Sequence, residues 1–131
     1  MRILLDTQCW IWMLAAPGRL GSVGRGLVAS FDNELFLSAA SAWEIAIKWG
    51  LGKLKLPGTP LEIVPALLAR TGVTSLPIHH HHALHVATLP PHHRDPFDRM
   101  LVAQAQIEDL MILTADRSFE AYDVKVLGTR D

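Results

Sequence analysis

Cysteine is almost absent from this chain. A single residue, Cys9, stands among 131. One thiol excludes an internal disulfide framework and a cysteine-based zinc site, and it fits a reducing compartment. Charge of one sign is missing as well: 12 Lys and Arg against 13 Asp and Glu give a formal net charge of −1. That balance excludes a strongly basic protein that coats a duplex through phosphate contacts. It leaves room for an enzyme that meets nucleic acid through a metal ion. No run of 18 apolar residues occurs, so no membrane-spanning helix is expected. Met1-Arg2-Ile3-Leu4-Leu5-Asp6 reaches an acid after three apolar residues, unlike the apolar stretch of a signal peptide. These features predict a soluble, cytoplasmic protein without a membrane partner.

Hydrophobic residues make up 50% of the chain and charged residues only 19%, which excludes intrinsic disorder. Short apolar runs alternate with helical stretches. Residues 3–5, 35–37, 73–76, 110–113 and 124–127 read as five strands. Helices are predicted over 8–15, 22–31, 40–50, 60–70 and 96–108, with a short one over 116–122. Pro60 stands at the start of one helix and Gly72 just past its end, the expected asymmetry. Lys53 to Pro57 reads as an edge or connecting segment. The alternation predicts an α/β fold in one domain over residues 1–131, with a five-stranded, mainly parallel sheet flanked by helices. Right-handed crossovers are expected.

Four acids occupy special places. Asp6 follows the first strand, Glu44 lies in the first turns after the second, Asp98 heads the helix leading into the fourth, and Asp116 follows the fourth. In open α/β sheets, ligands bind beyond the carboxyl ends of the strands. Each acid alone also fits a helix cap. Asp6 and Asp116 read as N-caps, Ser41 to Glu44 as a capping box, and Asp95-Pro96-Phe97-Asp98 as an N-cap, a first-position proline and an acid at the third position. Jointly the four point to one cleft. Converging carboxylates repel and are driven toward protonation unless a cation is present. Oxygen-only ligands suit hard ions such as Mg²⁺ or Mn²⁺. Without these four acids the formal charge would be +3, so a polyanion is tolerable once a metal fills the pocket.

At these residues the sequence resembles the PIN-domain family. Leu4-Leu5-Asp6-Thr7 resembles its opening, and residues 38–48, Ser-Ala-Ala-Ser-Ala-Trp-Glu-Ile-Ala-Ile-Lys, its second acidic motif. Residues 93–105, from His93 through Asp95, Asp98 and Arg99 to Ala105, resemble the third, and Leu113-Thr114-Ala115-Asp116 the fourth. The likeness spans nearly the whole chain and is greatest to toxins of the VapC type. It implies a parallel five-stranded sheet and a Mg²⁺- or Mn²⁺-dependent endoribonuclease with one or two ions. It also implies an RNA substrate, possible tRNA included, a cognate antitoxin and a homodimer. The acidic quartet carries over to Asp6, Glu44, Asp98 and Asp116 as catalytic and metal-binding residues. Asp6 and Asp98 are the first choice as direct ligands. Glu44 and Asp116 would ligate a second ion, hold its waters or act as base, and the sequence does not separate these roles. Thr7, Thr114, Asp95 and Arg99 form a supporting layer, with Asp95 also readable as a plain N-cap. Lys48 and Arg99 are candidate RNA contacts, and Lys48 equally an i,i+4 partner of Glu44. The implied reaction is hydrolytic displacement at phosphorus, in which a metal ion activates water and offsets charge on the phosphate.

Other residues have plainer readings. His79 to His82, His85, His92 and His93 are too dense for one metal site and are expected at a solvated helix surface. Trp10, Trp12, Trp43 and Trp49 could stack bases but are expected in the core or a protein interface. Cys9 reads as a small buried hydrophobe. Two other readings compete with a toxin: a PIN-fold RNA-processing nuclease and an inactive nucleic-acid-binding scaffold. A phospho-receiver module is rejected, because the third and last strands end in Pro77 and Gly128 rather than in the Asp and Lys it needs.

Overall fold

The computed structural model describes residues 1–92 and 94–129. His93, counted above among the histidines and in the third motif, lies outside the described residues. Five strands form one sheet: β1 (Arg2–Leu5), β2 (Glu34–Ser38), β3 (Thr74–Leu76), β4 (Met111–Thr114) and β5 (Val126–Gly128). Their order is β3-β2-β1-β4-β5, and every pairing is parallel. Among the described residues six α-helices accompany them: α1 (Thr7–Ala15), α2 (Gly21–Ala29), α3 (Ala39–Gly50), α4 (Pro60–Thr71), α5 (His80–His85) and α6 (Pro96–Glu108). Short 3₁₀ turns occupy Pro17–Leu20, Val86–Thr88 and Arg117–Ala121. The expected strand count and parallel sheet are present. The last two strands begin one or two residues later than their apolar runs, because pairing starts at Met111 against Ile3 and at Val126 against Ile112.

Ile3, Leu4 and Leu5 are fully buried, as a central parallel strand covered on both faces requires. Their alternation feeds two cores. Leu4 packs with Phe36, Leu101, Val102, Ile112 and Phe119 on one face. Ile3 and Leu5 pack with Trp10, Leu20, Leu37, Ile45 and Leu113 on the other. The molecule is therefore a three-layer α/β/α stack.

Local chemistry sets the helix ends. Thr59 caps α4, Pro60 takes its first position, and Gly72 closes it at φ 70° in the left-handed region that glycine enters without penalty. Asp95 caps α6 by accepting from the amides of Phe97 and Asp98 at 2.8 and 3.2 Å. Asp109 closes α6 at φ 55°, a left-handed conformation that aspartate tolerates better than most residues. Among the described residues no helix is long and apolar enough to cross a membrane.

Strand order decides where a site forms. The chain runs outward from β1 through β2 to β3, then resumes on the other side of β1 with β4 and β5. The direction reverses between β1 and β4, so their carboxyl ends flank a crevice, where open α/β sheets bind ligands.

Candidate active site

Asp6 leaves the end of β1 and Asp116 lies two residues past β4, one on each side of that crevice. The Asp6 amide extends the ladder to the Leu113 carbonyl at 3.1 Å, which fixes where its side chain starts. Its Oδ1 accepts from the Cys9 amide at 2.7 Å, so Asp6 caps α1. Its Oδ2 accepts from the hydroxyl of Thr114. Both oxygens are thus oriented, and the residue is buried. The Asp116 amide donates to Thr114 Oγ1 at 3.0 Å, and the Asp116 carboxylate accepts from the Ser118 amide at 2.9 Å. Thr114 therefore ties the two acids together across the crevice.

Glu44 arrives from α3. That helix begins at Ala39, capped by the Ser38 hydroxyl, which accepts from the Ala40 amide at 3.0 Å. The capping-box reading of Ser41 and Glu44 is thereby corrected: both residues lie inside the helix. Ser41 is fully buried and its Oγ lies 2.9 Å from Thr7 Oγ1. Thr7 in turn donates to Glu44 Oε1 at 2.7 Å, and Lys48 pairs with Oε2 at 2.8 Å. Ser41 is a supporting residue that sequence reasoning missed, because its spacing to Glu44 imitates a cap.

Asp98 comes from the first turn of α6. Its carboxyl is pushed up to about 7, first by burial, then by the charges of Asp95, Glu44, Asp6 and Asp116. Burial likewise raises the Asp6 carboxyl; bonds from Thr114 and Cys9 oppose this, and the Asp116 charge adds to it. Four acids drawn from four separate segments thus feel one another, as the sequence pattern requires of a shared cleft. The cap readings of Asp6 and Asp116 also hold: Asp6 caps α1 and Asp116 caps the 3₁₀ turn that follows β4. Trp43 and Phe97, each just before an acid, meet edge-to-face with centroids 5.0 Å apart and brace α3 against α6.

The remaining expectations divide. Lys48 lies beside Glu44 as an i,i+4 partner. Arg99, the other candidate RNA contact, has its guanidinium donating to the carbonyls of Val86, Leu89 and Pro90 and to the Tyr122 hydroxyl, which pins the segment before α6. Trp10 is buried, whereas Trp43 is 60% exposed. The surface reading of the histidines fails at His82, which is fully buried in a run that is otherwise exposed or half-buried. Its Nδ1 accepts from the His79 amide at 3.0 Å and its Nε2 lies 2.8 Å from Glu108 Oε1. A backbone amide can only donate, so the proton sits on Nε2 and His82 donates to Glu108. His81, His82 and Glu108 bring ligand atoms within 4.8 Å of one another. That bonding spends the nitrogen lone pair of His82 that a metal would need.

The quartet fits a hard divalent cation better. Its donors are all carboxylate oxygens, and their crowding raises Asp98 in the way a bound cation would relieve.

A family model described as PIN domain matches residues 3–125. Ribonuclease VapC16 from Mycobacterium tuberculosis is 44% identical over 61 residues, which span 47% of this chain and 43% of that protein. The alignment therefore covers less than half the length of that curated relative. A DNA-bound VapBC from Salmonella typhimurium superposes with a TM-score of 0.72 at 17% identity over 98% of each chain. FitAcB from Neisseria gonorrhoeae superposes with a TM-score of 0.66 at 24% identity over 97% of each chain. These structures share the fold.

Proposed function

The chain belongs to the PIN-domain family, and from that premise we propose that it is a Mg²⁺- or Mn²⁺-dependent endoribonuclease, the toxin of a toxin–antitoxin pair. One observation carries the reading: Thr114 joins Asp6 to Asp116, Thr7 beside Asp6 holds Glu44, and Asp98 lies within electrostatic reach of all three. Structural capping alone has no need to crowd four carboxylates.

Asp6, Glu44, Asp98 and Asp116 would hold the ion or ions. When bound, the ion supplies Lewis-acid polarisation of the phosphate and a lowered pKa for a water. The chain's own contribution is positioning. Thr114 and the Cys9 amide fix both oxygens of Asp6, while Thr7 and Lys48 fix both oxygens of Glu44. Hydrogen-bonded partners of this kind orient ligating groups and raise their affinity. Asp95 caps the turn that presents Asp98, and its charge sharpens the demand for a cation.

Support for a protein partner comes from the opposite side of α1. A groove of about 390 Å³ between α1 and α4 is lined by Trp10, Ile11, Leu14, Leu56 and Leu67, with Arg70 at its margin. We assign it to a cognate antitoxin. Trp43, Ile47 and Leu51 lie exposed at helical spacing and support a homodimer. The toxin would act in the cytoplasm, where RNA is accessible.

The test is cleavage of total RNA by the antitoxin-free protein in Mg²⁺ or Mn²⁺. Activity is expected to vanish in excess EDTA and in Asp98→Asn. Cleavage that survives either condition would remove the metal site from the reaction.

A further inference from the structure

Beyond the acidic pocket lies an arginine seated on an indole. Arg19, in the 3₁₀ turn after α1, is exposed, and its guanidinium carbon lies 5.9 Å from the centroid of the Trp12 ring. That is cation–π range. Among the described residues no carboxylate pairs with Arg19. Lys48, by contrast, is bound to Glu44, and Arg99 to carbonyls. Trp12 and Arg19 line a hollow of about 270 Å³ together with Ala115 and Thr129. The same Ala115 and Thr129 also line a hollow of about 350 Å³ that contains Thr114, Asp116 and Arg117. The two hollows therefore adjoin past the ends of β4 and β5, and the second holds Asp116 of the acidic quartet, with Glu120 also on its wall.

From this adjacency we propose that Trp12 and Arg19 form a nucleotide subsite of the RNA-binding cleft, with the indole stacking on a base next to the scissile bond and the guanidinium binding the neighbouring phosphate. This rests on the ribonuclease reading and adds its substrate-positioning residues. The chemistry matches a single strand. Unpaired bases stack on aromatic faces and guanidinium planes, and a phosphate accepts from the guanidinium fork. The acidic quartet alone would repel the strand, so cationic purchase must come from beside it. Arg19 offers that charge without first breaking an ion pair.

The test has two readouts. The first is binding of a fluorescent single-stranded RNA of about 12 nucleotides, measured in the cleavage-silent Asp98→Asn protein across a salt series. The second is KM and kcat for cleavage in Mn²⁺ with Asp98 intact. Arg19→Ala is expected to weaken binding about tenfold and reduce the salt slope by about one. It should raise KM by a similar factor and leave kcat within about twofold. Arg19→Lys restores the salt slope. Trp12→Leu weakens binding about tenfold with little change in slope, and Trp12→Phe, which keeps a ring and guards against misfolding, retains most of it. Lys125→Ala, at the opposite end of the sheet, is the control for simple loss of charge and should bind as the parent does. Unchanged binding and KM in Arg19→Ala would overturn the subsite while leaving the nuclease standing, and so would an equal loss in Lys125→Ala. RNA binding that depends on Arg19, in a protein that does not cleave, would overturn the nuclease and keep the subsite. A chain that neither binds nor cleaves RNA would overturn both.

Discussion

The hydroxyl of Thr7 lies 2.7 Å from Oε1 of Glu44. Thr7 is the chain neighbour of Asp6, so the residue beside one acid of the pocket positions another that arrives from α3. With Lys48 on Oε2, both oxygens of Glu44 are held before any ligand enters.

Thr7→Val should disturb stability and site together. The substitution keeps the shape but leaves the buried Ser41 hydroxyl without its Thr7 partner, a loss of about 1–3 kcal/mol. Freed from Thr7, Glu44 should bind Mn²⁺ about 10- to 100-fold more weakly. Thermal melts with and without Mn²⁺, and calorimetric titration of the ion, measure both. An unchanged affinity would show that the bond serves packing alone.

Asp98→Asn should reveal the crowding of the quartet through pH. The folded carboxyl is pushed up to about 7 from the ordinary 3.8, so the folded state holds the proton more tightly. Its contribution favours folding while protonated and is lost as pH rises from about 4 to about 7. The metal-free variant should therefore gain in Tm relative to the parent across that window, with the gap flat above it. In the parent, Mn²⁺ at a hundredfold excess over Kd should add about 2.7 kcal/mol. At a fixed Mn²⁺ concentration the gain should grow over the same pH range, because the ion displaces a proton. A variant that is destabilised at every pH yet keeps the whole metal gain would reduce Asp98 to a helix-turn charge.

His82→Ala should stand apart from its neighbours. It empties a fully buried site and removes two hydrogen bonds joining α5 to its own start and to Glu108. A cost of about 2–4 kcal/mol is expected, against about 0.5 kcal/mol or less for the exposed His80→Ala. Chemical denaturation of the two variants decides, and equal midpoints would contradict the buried role. Both should retain RNA cleavage within a few-fold when folded.

Cys9 should resist alkylation. Burial, then the charge of Asp6, pushes its thiol far above the usual range, so almost no thiolate exists near neutral pH. Iodoacetamide at pH 8 should leave the native protein unmodified and label it after denaturation, as read by intact mass. Rapid native labelling would place the thiol in an open pocket.

Much of this molecule is written locally. Ile3 to Leu5 announce a strand buried on both faces because the run is apolar without alternation. Asp95-Pro96 and Pro60 to Gly72 announce helix ends because capping depends on neighbours a few residues apart. The four acids were also legible, since each follows or heads such an element. What the sequence left open is whether each acid is a cap or a site residue, because both leave the same local pattern. Asp6 and Asp116 both cap a helical turn, and Thr114 hydrogen-bonds to each of them.

The sequence by itself therefore determined the five strands, the starts of α4 and α6 and the chain positions of Asp6, Glu44, Asp98 and Asp116. Only the tertiary structure decided that these acids come within electrostatic reach of one another. Strand order places β1 between β4 and β2, which brings Thr114 to Asp6 over a separation of 108 residues and Glu44, on the helix after β2, to Thr7 over 37. It also buried His82 against Glu108 while its neighbours stayed near water, because α5 lies on α6 by one face only. Contacts at such separations depend on how the layers stack, and no local spacing encodes them.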